Sequence, residues 1–152
     1  MISMDKGLTP ETYQTPPESI PVEFFIPAKK PRRNLRSAKA AGTWMERITA
    51  EFLAFRLADD RIERRTKNGS KDRGDITGVK TLQGGRVVIE CKNVTTLALP
   101  QWLREAEAER GNDDALIGVV AHKRHGTGNP ADQYVTMTLE TFAVLLEGGV
   151  KL

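Results

Sequence analysis

The chain has 152 residues, 39% of them hydrophobic, which is enough for one domain with a single modest core plus a tail. Its one cysteine, Cys91, excludes an intrachain disulfide framework and a cysteine-rich zinc site, and indicates a reducing compartment. The apolar stretches, such as residues 143–146, are far shorter than the about 20 residues of a membrane span. No apolar segment follows a basic N-terminus, so we expect a soluble cytoplasmic protein with no membrane partner.

The net charge of +3 is distributed unevenly along the chain. Residues 29–39 carry six basic side chains and no acidic one, namely Lys29, Lys30, Arg32, Arg33, Arg36 and Lys39. A basic block of this density predicts contact with a polyanion. The alternative is a solvated tail whose charge serves solubility.

Residues 1–38 are predicted to form an extended arm that ends in the basic block, because they contain six of the eight prolines. Residues 39–152 are predicted to form the folded domain. From Ala40 onward, apolar side chains at helical spacing predict a first helix. Thr43 is its predicted N-cap, and Glu46 follows three residues later to complete a capping box.

The remaining elements alternate between strands and helices. A short polar strand at residues 61–65 and a loop at 66–74 precede a predicted hairpin, with strands at 75–82 and 86–93 around Gln83-Gly84-Gly85. Pro100 fits the first turn of a helix that ends before Gly111. Two strands and a last helix follow at residues 115–121, 133–137 and 139–146. The order α-β-β-β-α-β-β-α predicts an α/β fold with a mixed sheet flanked by helices.

Charged residues gather at the end of the predicted hairpin. Side chains alternate between the two faces of a strand, so Glu90 and Lys92 share one face and Cys91 points to the other, toward the core. The length of the hairpin loop places Asp75 opposite Lys92 and Thr77 opposite Glu90. Asp75 and Glu90 are then diagonal neighbours, about 7 to 8 Å apart.

Two carboxylates and one ammonium at one point are unfavourable unless they have a purpose, because like charges repel and each charge loses hydration. A divalent cation removes the conflict. Carboxylates and a backbone carbonyl, such as that of Cys91, suit Mg²⁺, with Mn²⁺ as a substitute, whereas zinc prefers His or Cys. Such an ion activates a water molecule and neutralises charge on a phosphate oxygen, while a lysine orients the water. This is the chemistry of phosphodiester hydrolysis.

Asp75 followed by Glu90-Cys91-Lys92 resembles the motif of the PD-(D/E)XK nucleases, with Gly74 where the family often has proline. Over roughly residues 40–140 the chain is similar to the archaeal and phage Holliday junction resolvases of that superfamily. Like them, it has a glutamate after a glycine in its first helix, within the segment GTWMER at 42–47. It also has a loop with Ser and Gly before the aspartate, NGSK at 68–71.

The resemblance implies a restriction-endonuclease-like fold and Mg²⁺-dependent cleavage of DNA. It implies that Asp75 and Glu90 bind the metal together with the Cys91 carbonyl, that Lys92 assists the water, and that Glu46 completes the site. It also implies a homodimer, because a two-fold symmetric junction needs two symmetric cuts. Simpler alternatives are a capping residue at Glu46, an aspartate that starts a strand at Asp75, and an exposed edge-strand ion pair between Glu90 and Lys92.

The predicted DNA contacts are basic side chains or lie in a flexible loop, and comprise Lys29, Lys30, Arg32, Arg33, Arg36, Ser70, Lys71, Arg73, Lys123 and Arg124. His122 and His125 are predicted to belong to the same basic loop as the last two, with phosphate contact or a plain surface role as alternatives. Trp44 and Trp102 are predicted to lie in the core.

Three functions follow from these observations. The first is a metal-dependent endonuclease that resolves Holliday junctions during DNA recombination. The second is another PD-(D/E)XK nuclease, of repair or restriction type, acting on branched or double-stranded DNA. The third is a DNA-binding protein without catalytic activity. A phage-encoded protein acting in the bacterial cytoplasm suits so small a resolvase.

Overall fold

The computed structural model describes residues 34–66 and 69–149. These residues form α1 (Leu35–Leu57), β1 (Glu63–Arg64), β2 (Ile76–Thr77), β3 (Val87–Lys92), α2 (Leu99–Asn112), β4 (Ile117–His122), β5 (Tyr134–Thr136) and α3 (Leu139–Leu146). A short 3₁₀ turn, Pro130–Asp132, separates β4 from β5. The α/β class with a mixed sheet is confirmed. Lys29, Lys30, Arg32 and Arg33 lie outside the described residues, as does most of the predicted arm.

The first helix begins earlier than predicted. The side chain of Asn34 accepts a hydrogen bond from the N–H of Ser37, whose Oγ accepts one from the N–H of Asn34. This reciprocal capping box starts the helix at Leu35, and the residues that follow include good helix formers such as Ala, Lys and Arg. The predicted N-cap at Thr43 is therefore wrong, and the end of the predicted extended arm, residues 35–38, is helical.

The five strands form one sheet in the order β1-β2-β3-β4-β5. β3 and β4 are parallel, and every other neighbouring pair is antiparallel. Because β3 and β4 are parallel, the chain must cross over between them, and α2 makes this connection. β3 is thus a central strand, with β2 on one side and β4 on the other.

The two long helices cover opposite faces of this sheet. Met45 and Ile48 of α1 pack with the β3 side chains Ile89 and Cys91, so the predicted place of Cys91 in the core is confirmed. On the other face, Trp102 of α2 packs with Ala106 and Val120, which confirms Trp102 as a core residue. Trp44 is partly buried against the α1 cluster. Among the helices of the described residues, none has the length and apolar character that crossing a membrane requires.

The hairpin has a different register from the predicted one. Ile76 pairs with Ile89, and continuing this register by one residue places Asp75 opposite Glu90 instead of opposite Lys92. Two one-residue shifts produce the difference. At the loop, Lys80 pairs with Arg86, whereas the predicted register pairs it with Val87. A bulge adds the second shift, because three residues separate Ile76 from Lys80 where two separate Arg86 from Ile89. Gly78, in the bulge, takes up the extra residue with a φ of 84°.

Candidate metal and nucleic-acid site

The turn that leads into Asp75 requires glycine. Gly74 has a φ of 88°, in the left-handed region, whereas the ring of proline fixes φ at about −65°. A Cβ atom at Gly74 would lie 2.7 Å from Cγ1 of Val88. The departure from the Pro-Asp dipeptide of the nuclease motif is therefore a requirement of the local backbone in this chain.

Asp75 is held beside β3 by two hydrogen bonds. Its N–H donates to the carbonyl of Ile89 at 2.9 Å, and its Oδ2 accepts the N–H of Cys91 at 2.8 Å. The side chain is only 8% exposed. Burial and the charge of Glu90 raise the pKa of Asp75 to about 7, although the bond from Cys91 acts in the opposite direction. A positive charge placed here would favour the ionised carboxylate.

Glu90 and Lys92 project toward α2, on the face opposite to Cys91, as predicted. Nζ of Lys92 lies 2.6 Å from Oε1 of Glu90 and 2.6 Å from Oε2 of Glu105 on α2. Burial alone would lower the pKa of Lys92, but hydrogen bonds to Glu105 and Glu90 outweigh it and raise that pKa above its usual value. Lys92 is therefore an ammonium ion at neutral pH. The alternative of an exposed edge-strand pair is wrong, because β3 is central and Glu90 is buried.

Glu109, on the last turn of α2, was missed by the sequence analysis. It is 7% exposed, and its Oε2 is buried without a hydrogen-bond partner. Burial, the charge of Glu90 and a hydrogen bond with Glu90 raise the pKa of Glu109 to about 9. The signal that could have found it is the spacing of Trp102, Ala106 and Glu109, which places all three on one face of the helix.

Glu46, predicted to complete the site, is turned toward β1. Its Oε2 lies 2.8 Å from Nη2 of Arg64, and this ion pair replaces the predicted role in a capping box. The charge of Glu46 still reaches Asp75, where it is one of the influences that raise the pKa. Glu46 therefore belongs to the electrostatic surroundings of Asp75 while its carboxylate is paired elsewhere.

The carboxylates of this site are not arranged as a complete metal-binding group. Within residues 34–66 and 69–149, no three His, Cys, Asp or Glu side chains converge closely enough to hold an ion as they stand. Glu90 faces Lys92 instead. The donor chemistry nevertheless fits a hard divalent cation, since Asp75 and Glu90 are neighbouring buried carboxylates and Glu109 offers an unpartnered oxygen.

The predicted DNA-contacting residues within the described ranges lie in the loop before Asp75, in the first turn of α1 and in the segment after β4. Ser70, Lys71 and Arg73 are exposed and line a shallow pocket that ends at Gly74, directly before Asp75. Arg36 is exposed in the first turn of α1.

Two further predicted contacts follow β4, which ends beside Lys92. Lys123 lies over the ring of Trp44 at 5.6 Å, and the guanidinium of Arg124 lies 5.7 Å from the ring centre of Tyr134. These aromatic contacts, together with hydrogen bonds from Nζ of Lys123 to the carbonyls of Arg124 and Thr127, hold the two cations after the end of β4.

His122 does not belong to the basic loop, and that prediction is wrong. It is the last residue of β4, is 6% exposed, and lies between the rings of Trp102 and Tyr134 at 5.7 and 5.6 Å. Its Nε2 is 2.8 Å from Oγ1 of Thr136. Burial lowers the pKa of His122, so it is neutral at pH 7 and unsuited to contact a phosphate. His125 does lie in the exposed loop.

Comparisons with known proteins identify no relative from which a function could be transferred. No protein-family model, no curated protein and no solved structure matches the chain. The function must therefore be inferred from the side chains of the site.

Proposed function

We propose that the protein is a divalent-metal-dependent DNA endonuclease that hydrolyses phosphodiester bonds, and that its substrate is the Holliday junction. The observation that carries the proposal is the grouping at the end of β3. A buried aspartate, Asp75, lies beside the carboxylate of Glu90, whose partner Lys92 is a charged ammonium 2.6 Å away. Carboxylates held this close in a buried site are unfavourable in the absence of a cation.

Asp75 and Glu90, with the backbone carbonyl of Cys91, are the groups that would hold Mg²⁺ or Mn²⁺. When bound, such an ion lowers the pKa of a water molecule and neutralises charge that develops on the scissile phosphate. Glu46 lies on α1 and is proposed to support the site through the negative charge of its carboxylate. The chain itself prepares Asp75 for this role, because the Cys91 N–H fixes one carboxylate oxygen at 2.8 Å.

Lys92 is proposed to orient the attacking water and to stabilise the charge of the transition state. Its two carboxylate partners make this compatible with metal binding. If Glu90 turns to the metal, Glu105 still holds the ammonium at 2.6 Å, and Gln101 in turn donates to Glu105 at 2.8 Å. Lys92 therefore keeps both its charge and its position.

DNA is proposed to lie across the loop before Asp75 and the segment after β4, with Arg36 as a further phosphate contact. Lys123, Arg124 and Arg36, together with the pocket residues Ser70 to Arg73, supply the groups that typically contact phosphates. The basic segment 29–33 is proposed to add affinity that depends on salt. Recognition through phosphates suits the shape of a junction more than its base sequence.

We further propose a restriction-endonuclease-like fold, a cytoplasmic setting and a homodimer. A helix followed by three strands, a crossover helix and a parallel central strand pair is compatible with that fold. The dimer is proposed because two symmetric cuts require two sites.

A non-catalytic DNA-binding protein is the second candidate. The observation that favours it is that Lys92 and Glu46 are already paired, and that in the described ranges no three potential ligands converge. The basic groups alone would then account for the function.

One cleavage experiment separates these functions. The full chain is incubated with Mg²⁺ and, at equal concentrations, an immobile four-way junction, its duplex arms, a flapped duplex and a single strand. Paired symmetric cuts in the junction support the proposal. Equal cleavage of flap or duplex identifies another nuclease of the same superfamily. Binding with a steep salt dependence and no hydrolysis in Mg²⁺ or Mn²⁺ identifies the non-catalytic protein.

A further inference from the structure

Glu109 is a buried carboxylate that the nuclease motif does not include. It is 7% exposed, and its Oε2 makes no hydrogen bond in the structure. A buried polar atom without a hydrogen-bond partner is unfavourable, because it has lost its hydration and gained no bond in exchange. The presence of such an atom calls for an explanation.

The geometry of α2 places Glu109 over Glu90. Because α2 connects two parallel strands, it runs antiparallel to β3, and Glu105 already contacts Lys92 at 2.6 Å. Four residues along the helix, from Glu105 to Glu109, rise about 6 Å. Two residues along the strand, from Lys92 back to Glu90, rise about 6.6 Å. The two steps match, so the carboxylates of Glu109 and Glu90 meet.

The nearby cations are paired with other groups. Arg110 contacts Glu107 at 2.7 Å, and Arg65 contacts Asp113 at 3.0 Å. Lys92 is shared between its own two carboxylates. Glu109 also feels the charges of Asp72 and Asp75. Of these three cations, only Lys92 pairs with a carboxylate of the proposed site.

We infer that Glu109, contributed by α2, is a third carboxylate ligand that closes with Asp75 and Glu90 on a divalent cation, since the three side chains do not converge closely enough to hold an ion as they stand. The inference rests on the proposed function, since it extends the same site. Oε2 of Glu109 is available to an ion without the loss of an existing bond. The matched rise of α2 and β3 from the Lys92–Glu105 contact brings Glu109 to Glu90, so an ion that Glu90 binds lies within reach of the second carboxylate.

The test measures Mn²⁺ binding to the full chain in the absence of DNA, by calorimetric titration and by the electron paramagnetic resonance of free Mn²⁺. Glu109→Gln should weaken Mn²⁺ binding at least tenfold. Glu107→Gln removes the same charge from the exposed face of the same helix and should stay within twofold of the wild type. Asp75→Asn, which alters a proposed primary ligand, should abolish binding.

A second readout separates a ligand from a structural residue. Mn²⁺ should raise the melting temperature of the wild type, and this increase should be clearly smaller in Glu109→Gln even though the metal-free variant melts at least as high as the metal-free wild type. Glu109→Asp keeps the charge but withdraws it by one methylene, and should restore part of the affinity. It also provides the test if the glutamine variant does not fold.

The failures are distinguishable. Wild-type Mn²⁺ affinity in Glu109→Gln or in Glu109→Asp, with binding lost in Asp75→Asn, would overturn the inference and leave the proposed function standing. An unchanged Mn²⁺-induced rise in melting temperature in Glu109→Gln would overturn it as well. A wild-type protein that binds no Mn²⁺ would overturn both.

Discussion

Replacing Asp75 with asparagine should stabilise the metal-free protein at neutral and alkaline pH. The side chain is 8% exposed, and burial together with the charge of Glu90 raises its pKa from 3.8 to about 7. Asparagine retains an oxygen that can accept the N–H of Cys91 but carries no charge. The substitution therefore removes the unfavourable ionisation and keeps the hydrogen bond.

The magnitude follows from the difference between the folded and unfolded pKa. Below pH 3.8 the carboxyl group is protonated in both states. Between 3.8 and about 7 the unfolded chain loses its proton while the folded chain keeps it, so the stability of the wild type falls as the pH rises. Above pH 7 the loss is complete. At about 1.4 kcal/mol per pKa unit it reaches at most about 4 kcal/mol, and relaxation around the site reduces it to about 2 to 4 kcal/mol.

Urea unfolding with EDTA at pH 4, 6 and 8 measures this effect. Asp75→Asn and the wild type should have similar stability near pH 4, and the variant should gain its advantage progressively up to pH 8. Asp60→Asn, at an exposed position, should stay within about 0.5 kcal/mol of the wild type throughout. An Asp75→Asn variant that is less stable than the wild type at pH 8, or an advantage independent of pH, would refute the reasoning.

Three further substitutions give separate expectations. Lys92→Met removes an ammonium group but keeps the length of the side chain. It should abolish cleavage and lower the free energy of unfolding by about 1 to 3 kcal/mol, because the carboxylates of Glu90 and Glu105 lose their partner. Cleavage at the wild-type rate would contradict the role of Lys92. Gly74→Pro creates the Pro-Asp dipeptide of the nuclease motif but should destabilise the protein by about 1 to 3 kcal/mol in urea unfolding, because the φ of residue 74 is 88°. An unchanged urea midpoint would show that this turn does not require glycine. Lys123→Ala and Arg124→Ala should each weaken junction binding for every arm sequence. Each should also reduce the slope of log binding constant against log salt concentration by about one, and a slope equal to that of the wild type would show that the phosphates bind elsewhere.

Local patterns were sufficient to predict the main features of the sheet. Alternation along residues 87–92 correctly placed Cys91 in the core and Glu90 with Lys92 on the other face. The apolar periodicity of α1 and the turn residues at Gly84-Gly85 identified the helix and the hairpin. These features depend on neighbours in the sequence, so the sequence alone reveals them.

The errors arose where a distant or subtle contact decides the structure. The hairpin register depends on the pairing of Lys80 with Arg86 at the loop and on a one-residue bulge at Gly78, and an alternating pattern reveals neither of them. The capping box that starts α1 joins Asn34 to Ser37, and the usual pattern of Ser or Thr followed three residues later by Glu or Gln does not identify it. Glu109 lies at a helix position where a charged residue is normally solvated, and only the packing of α2 on β3 shows that it is buried.

The most direct measurement is the cleavage of an end-labelled four-way junction by the wild type and by Glu90→Gln, each with Mg²⁺ and with EDTA. The wild type should cut the junction with Mg²⁺ and lose this activity in EDTA. Glu90→Gln should bind the junction and leave it intact under both conditions. Full cleavage by Glu90→Gln, or cleavage by the wild type that EDTA does not affect, would contradict a metal-dependent nuclease site at Asp75, Glu90 and Lys92.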